Sequence, residues 1–162
     1  MLNHFKTTAN NKWNFINSFL NNENLVKCIA NNEPNFLDYD VTDKESLIYD
    51  RIHPTKYVPG VNESAKSFIC MSFQYSPSKS SATFYRATSV TFYLFCHRSL
   101  MKTDYGTTRV DYMLSCVDDM MQNSKSEEWM GRMLFDGGND EILDANGEYV
   151  GLWVRYKAVE MT

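Results

Sequence analysis

Phe84-Tyr85-Arg86-Ala87-Thr88-Ser89-Val90-Thr91-Phe92-Tyr93-Leu94-Phe95-Cys96-His97 is the stretch whose reading decides the fold. Aromatic and β-branched side chains crowd it, and these suit a pleated, half-buried strand better than a helix. Neighbours on a strand point to opposite faces. Phe84, Val90, Phe92 and Leu94 therefore share one side, and Tyr85, Tyr93 and Phe95 the other. Both sides carry large apolar groups, so helices on one face alone leave the second face needing a partner, a subunit interface being the natural one, unless helices or the chain's own connecting arm cover both faces.

Outward from this strand, residues 66–75 alternate: Phe68, Cys70 and Ser72 face one way, Ile69, Met71 and Phe73 the other. The polar run 76–81 joins the two as an antiparallel hairpin. On the C-terminal side, residues 102–106 read as a loop. Thr108 then opens a helix with Asp111 three residues on, a capping-box-like pair. Val110, Met113, Leu114, Val117 and Met121 form its apolar stripe, while Asp111, Ser115, Asp118 and Gln122 face outward. Residues 129–135 read as a third strand, 136–144 as an acidic loop, and Asp144-Ala145-Asn146-Gly147 as a tight hairpin turn. In the last strand, 148–159, Leu152, Val154 and Tyr156 alternate with Trp153, Arg155 and Lys157.

Before the hairpin, Phe5, Ala9, Trp13, Ile16 and Leu20 recur at helical steps, and Leu25, Val26, Cys28 and Ile29 suggest a short second helix ended near Pro34. Residues 36–64, with Pro54, Pro59 and Gly60, read as a long extended connection, because residues before proline avoid the helical region. A short strand near Ile48 fits within it. The order predicts an α+β fold, an antiparallel β-sheet with helices packed mainly on one face. It is a single domain over 1–162: N-terminal helices in 1–32, an extended arm in 36–64, and a sheet with one central helix in 65–162.

The 162 residues are enough to bury a core without staples. The formal net charge of −4 is uneven, because residues 100–162 hold 6 basic and 12 acidic groups. A strongly basic footprint for nucleic acid is missing, and the acidic half repels phosphate. Cys28, Cys70, Cys96 and Cys116 form no CxxC pair and read as buried, reduced thiols. The start, MLNHFKTTANNKW, has no apolar leader core. No run approaches the roughly 20 apolar residues of a membrane span.

Cys96 and His97 are adjacent on a strand and point apart, so they do not share a metal easily. His4 and His53 have no ligand spacing. Asp144, Asn146 and Glu148 alternate as in a calcium loop, but Tyr149 and Arg155 stand where that loop needs Gly and Glu. No glycine-rich phosphate loop and no nucleophile elbow occur. Asp118 and Asp119 diverge by about 100° on the helix. Asp104, Asp111 and His97, or a Cys116–His97 dyad, are what remains for acid–base work. The reading is therefore a non-enzyme with no cofactor and no metal.

Several stretches resemble tailed-bacteriophage neck proteins, the tail-terminator and head–tail connector family of phages of Gram-positive hosts. They are 19–27 (FLNNENLVK), 52–60 (IHPTKYVPG) with 65–70 (AKSFIC), and 92–97 (FYLFCH) with 106–112 (GTTRVDY). The Asn-rich first helix and the acidic loop depart from the pattern. The resemblance implies a tail-terminator-like sheet and a homo-oligomeric ring, hexameric by expectation, in the virion neck. Its partners would be the tail tube or connector proteins, with DNA only as passing cargo. Under that reading the arm lies on the next subunit. Arg51, Lys56 and Arg109 are then the interface cations, Asp104 and Asp111 or the acidic loop 136–144 their acidic partners, and Tyr57 and Trp153 aromatic contacts. The alternative is a small phage-encoded binding module that inhibits or escorts a host protein. A ring subunit differs from it in needing two different complementary surfaces.

Overall fold

The computed structural model describes residues 4–60, 62–78, 81–123, 132–144 and 146–159. Helices α1 (His4–Asn21) and α2 (Glu23–Ala30) come first, followed by a two-residue strand β1 (Ile52–His53). The hairpin β2 (Ser67–Ser78) and β3 (Ser81–His97) precedes α3 (Arg109–Asn123), and β4 (Met133–Ile142) and β5 (Tyr149–Ala158) close the chain. The sheet order is β1-β2-β3-β5-β4, antiparallel throughout except for the β1–β2 pair. The fold is thus α+β with a mostly antiparallel five-stranded sheet.

The helices gather on one face. Ile69 and Met71 of β2, Val90, Phe92, Leu94 and Cys96 of β3, and Leu152, Val154 and Tyr156 of β5 meet Phe15, Ile16 and Phe19 of α1, Leu25 and Ile29 of α2, and Val110, Met113 and Val117 of α3. The alternation read from residues 66–75 and 148–159 is the alternation observed. On the far face a smaller cluster, Phe68, Cys70, Phe95 and Tyr149, is capped by Tyr57, Tyr93 and Leu143.

Local chemistry sets the element ends. Asn22 caps α2 by accepting from the Leu25 amide at 3.1 Å. Thr108 caps α3: its Oγ1 accepts from the Asp111 amide at 3.1 Å and donates to the Asp111 carboxylate at 2.6 Å. Gly147 takes φ 66 in the β4–β5 turn, where the left-handed region favours glycine. Gly151 is forced by proximity, because a Cβ there would sit 1.9 Å from the Leu94 carbonyl oxygen.

Four sequence expectations are corrected. The α1 stripe is rotated: Phe15, Ile16 and Phe19 are fully buried, whereas Ala9 faces solvent and Trp13 is 44% exposed. A helix with apolar residues on several sides is resolved only by what it packs against, and here Phe92 stands 5.3 Å from the Phe15 ring and 5.4 Å from the Phe19 ring. Second, 136–142 is not a loop but the body of β4, carried through a bulge between Phe135 and Gly137. Third, 36–64 is no free arm. It makes 3-10 turns at Phe36–Asp38 and Glu45–Leu47, adds β1 to the sheet, and buries Phe36, Leu47 and Ile52 in the chain's own core. Fourth, Asp118 does not simply face outward; it accepts from the Tyr156 hydroxyl at 2.7 Å. Residue Trp129 of the expected third strand, Ala145 of the turn, and the side chains of Phe5, Phe84 and Tyr85 lie outside those described.

Candidate assembly surfaces

The two open sides of the sheet differ in kind. At one end β4 is the outermost strand, with Phe135 63% and Ile142 61% exposed beside Asp136, Asp140 and Glu141. At the other end β1 covers β2 only at Ile69 and Cys70. Beyond Cys70, β2 has no outer strand among the described residues, so its amide and carbonyl groups there stand unpaired at a sheet edge. β3 pairs with β5 only from Ser89 to His97, so the rest of the β2–β3 hairpin overhangs the sheet as a two-stranded ribbon. Between the start of α3 and β4 runs a groove of about 740 Å³, lined by Val110, Asp111, Asp140, Ile142, Val150 and Leu152.

Part of the far face, around Phe68 and Tyr149, is covered by the chain itself, while Tyr93 and Trp153 stay partly exposed there. Tyr57 stacks on His53 at 3.8 Å and meets Phe68 edge-on at 5.3 Å. Its hydroxyl donates to Glu63, which also pairs with Lys66 at 2.8 Å. Lys66 is buried, holds the Asp50 carbonyl at 2.9 Å and lies over the Tyr57 ring. Hydrogen bonds from Lys66, Tyr57 and the Gly60 amide hold the Glu63 carboxyl down at about 2. Burial holds the His53 imidazole below its usual value. Burial also lowers Lys66, but Glu63, Tyr57 and Asp50 outweigh it and its net shift is upward. Tyr49, at φ 67 and 65% exposed, turns the chain at the rim of this cluster.

The residues singled out in the sequence land in different places. Arg109 is fully buried. Its guanidinium donates to the carbonyls of Cys28 and Asn31 at 2.7 Å, Glu33 and Leu100 at 2.8 Å and Asn32 at 3.1 Å, and lies over the Phe36 ring. It thus holds the carbonyl-rich C-terminus of α2, where the helix dipole favours a cation, and offers no charge to a neighbour. Arg51 is half-buried and donates to the Ile29 carbonyl at 2.7 Å and to Asn32 at 3.2 Å. Asp111 is occupied by Thr108, and the Asp104 amide ties back to the Pro34 carbonyl at 3.1 Å. Tyr57 belongs to the internal latch just described. Lys56 is exposed and lies over the Tyr93 ring at 5.3 Å, and Trp153 is half-exposed on the far face under the Arg155 guanidinium. The seven do not form one patch. Sequence reasoning ended the third strand at Phe135 and so missed the rest of β4, because two glycines and three acids interrupt its alternation. It missed the buried role of Arg109 because a lone Arg near a helix start carries no sign of where it points.

For chemistry, burial pushes the thiols up, Cys28 and Cys96 to about 12 and Cys70 and Cys116 to about 11, which leaves them protonated and weakly nucleophilic. His97 is bonded to Ser99 at 2.7 Å. Among the described residues no three His, Cys, Asp or Glu side chains cluster closely enough to hold a metal, and no helix is long and apolar enough to cross a membrane.

Comparison with curated proteins and with solved structures returned no match for this chain. A family model does match. It is YomW, over residues 22–158, and its name resembles that of a gene in a Bacillus phage region, which suggests a phage-derived protein. The match opens at the N-cap of α2 and ends at the last residue of β5, so it spans the whole sheet with α2 and α3 and leaves α1 outside. The chain belongs to the YomW family.

Proposed function

We propose that this chain is a structural subunit of a tailed-phage virion that assembles into a ring at the neck, as a tail terminator or head–tail joining protein. The observation that carries the reading is the pair of unlike open edges on one sheet, β4 at one end and the outer part of β2 at the other. A subunit that closes a ring needs two different surfaces that fit each other. Unpaired strand edges supply main-chain hydrogen bonds without a deep pocket. The family's phage-like name and the resemblance of three sequence blocks to neck proteins point the same way. In this role the chain contacts tail tube or connector proteins, DNA passes as cargo, and no catalysis is required of it.

The test is solution mass by light scattering across a wide concentration range, followed by addition of the purified protein to tails or capsids that lack it. The expected result is a closed ring of about six or more subunits, or a monomer that joins such particles and restores assembly. A protein that neither rings nor joins particles, and instead binds one host protein, overturns the reading in favour of the adaptor alternative.

A further inference from the structure

The sheet pairings place one residue from each open edge at the same height. Phe73 of β2 pairs with Val90, Val90 with Tyr156, and Tyr156 with Phe135 of β4. The four make one row across the sheet, on the face that carries the helices, since Val90 and Tyr156 lie in the main core. The row's outer members are both incompletely covered: Phe135 is 63% exposed and Phe73 is half-buried. Lys12 of α1 sits over the Phe73 ring at 5.4 Å. Asp136 follows Phe135 at the bulge and pairs with Lys157, itself largely exposed, at 3.4 Å.

Strand directions allow the two edges to meet. β2 and β5 run one way, β3 and β4 the other. Copies related by rotation about an axis along the strands keep those directions, so β4 of one copy arrives antiparallel to β2 of the next. The helix face stays on the same side. By the same pairings, Gly138 stands level with Met71 and Leu134 level with Gln74. The free part of β2 therefore faces the upper half of β4. The lower half, from Asn139 to Ile142, stands level with Ser67 to Cys70, where β1 already occupies part of the edge and blocks a downward slip. Charge agrees with the geometry. β4 holds Asp136, Asp140 and Glu141 and no base, and β2 beyond Cys70 holds no acid, so no pair of acids opposes the approach.

From this we infer that residues 133–138 of one copy add as an antiparallel strand to residues 71–75 of a second copy, setting Phe135 against Phe73. The partner of the open β4 edge is thus another molecule of the same chain. The seam rests on the ring reading above and gives that reading its contact.

Two chains test it by sedimentation and light scattering: wild type and Phe135→Asp. Phe135 is exposed, so F135D keeps the wild-type circular dichroism and melting temperature while self-association weakens at least about tenfold. Assembly of wild type that F135D leaves unchanged overturns the seam while the ring reading stands. A wild type that is monomeric at every concentration also overturns this seam, and the ring reading is then decided by the particle-joining assay alone.

Discussion

Arg109 shows how much a single side chain settles in this molecule. Five backbone carbonyls, four of them from the end of α2 and the turn after it, converge on one guanidinium that water does not reach. Removing the cation leaves those acceptors buried and unpaired. We expect Arg109→Ala to cost on the order of 3–5 kcal/mol, read as a lower urea midpoint. Arg109→Lys should recover little, because one ammonium does not span a fork of five acceptors. The latch on the far face makes a second prediction, about pH. Glu63 titrates at about 2 in the folded chain against an ordinary 4.5, so its stabilising contribution is complete above 4.5 and is lost as pH falls toward 2. His53 is depressed below 6.5, so its folded form is the neutral one, and protonation opposes folding once pH drops below 6.5. The charged groups facing this pair are Lys66, Asp50 and Glu63. Acidification should therefore loosen residues 54–64 first, seen as faster amide exchange there than in β3. Glu63→Gln should flatten the part of that dependence below pH 4.5.

At the scale of elements, β5 is the strand that holds the sheet together, since it pairs β3 on one side and β4 on the other. It fits so closely that Gly151 has backbone, not side chain, against it: Leu94 oxygen at 1.9 Å and Phe95 Cα at 2.9 Å from a Cβ built there. Gly151→Ala must push β3 and β5 apart, and we expect a loss of about 1–3 kcal/mol, with a melting temperature lower by about 2–4 °C per kcal/mol. Helix α1 gives a different lesson. The family match leaves it out, yet Phe15, Ile16 and Phe19 are among the most buried side chains of the chain. In this member α1 is therefore part of the core, and its Lys12 reaches the open β2 edge.

For the whole molecule, the acidic β4 edge and the β2 edge, with Lys12 over its Phe73, lie at opposite ends of one sheet. Attraction between copies then depends on ionic strength, because exposed charges are screened within about 10 Å at 0.1 M salt. We expect self-association measured by light scattering to weaken as salt rises from about 0.05 to 0.5 M without vanishing, since the aromatic contact and the strand hydrogen bonds are not charge interactions. Association that strengthens steadily with salt would mean that the apolar surface alone drives it.

Much of this architecture was legible in the chain. Alternation in residues 66–75 and 148–159, the Thr108–Asp111 pair and the turn at Gly147 each act between residues a few positions apart, so local order alone fixed the hairpin, the α3 start and the helices-on-one-face arrangement. Other features waited for the tertiary structure. Phe15 and Phe19, rather than Trp13, face inward because Phe92 of β3 lies across from them. Arg109 is structural because its carbonyl partners in α2 and the following turn lie 76 to 81 residues away. Phe135 and Phe73 share a row only because three strand pairings set their common height. Sequence periodicity states which way a side chain points relative to its neighbours in the chain; what it points at is decided by contacts that form only when distant segments pack.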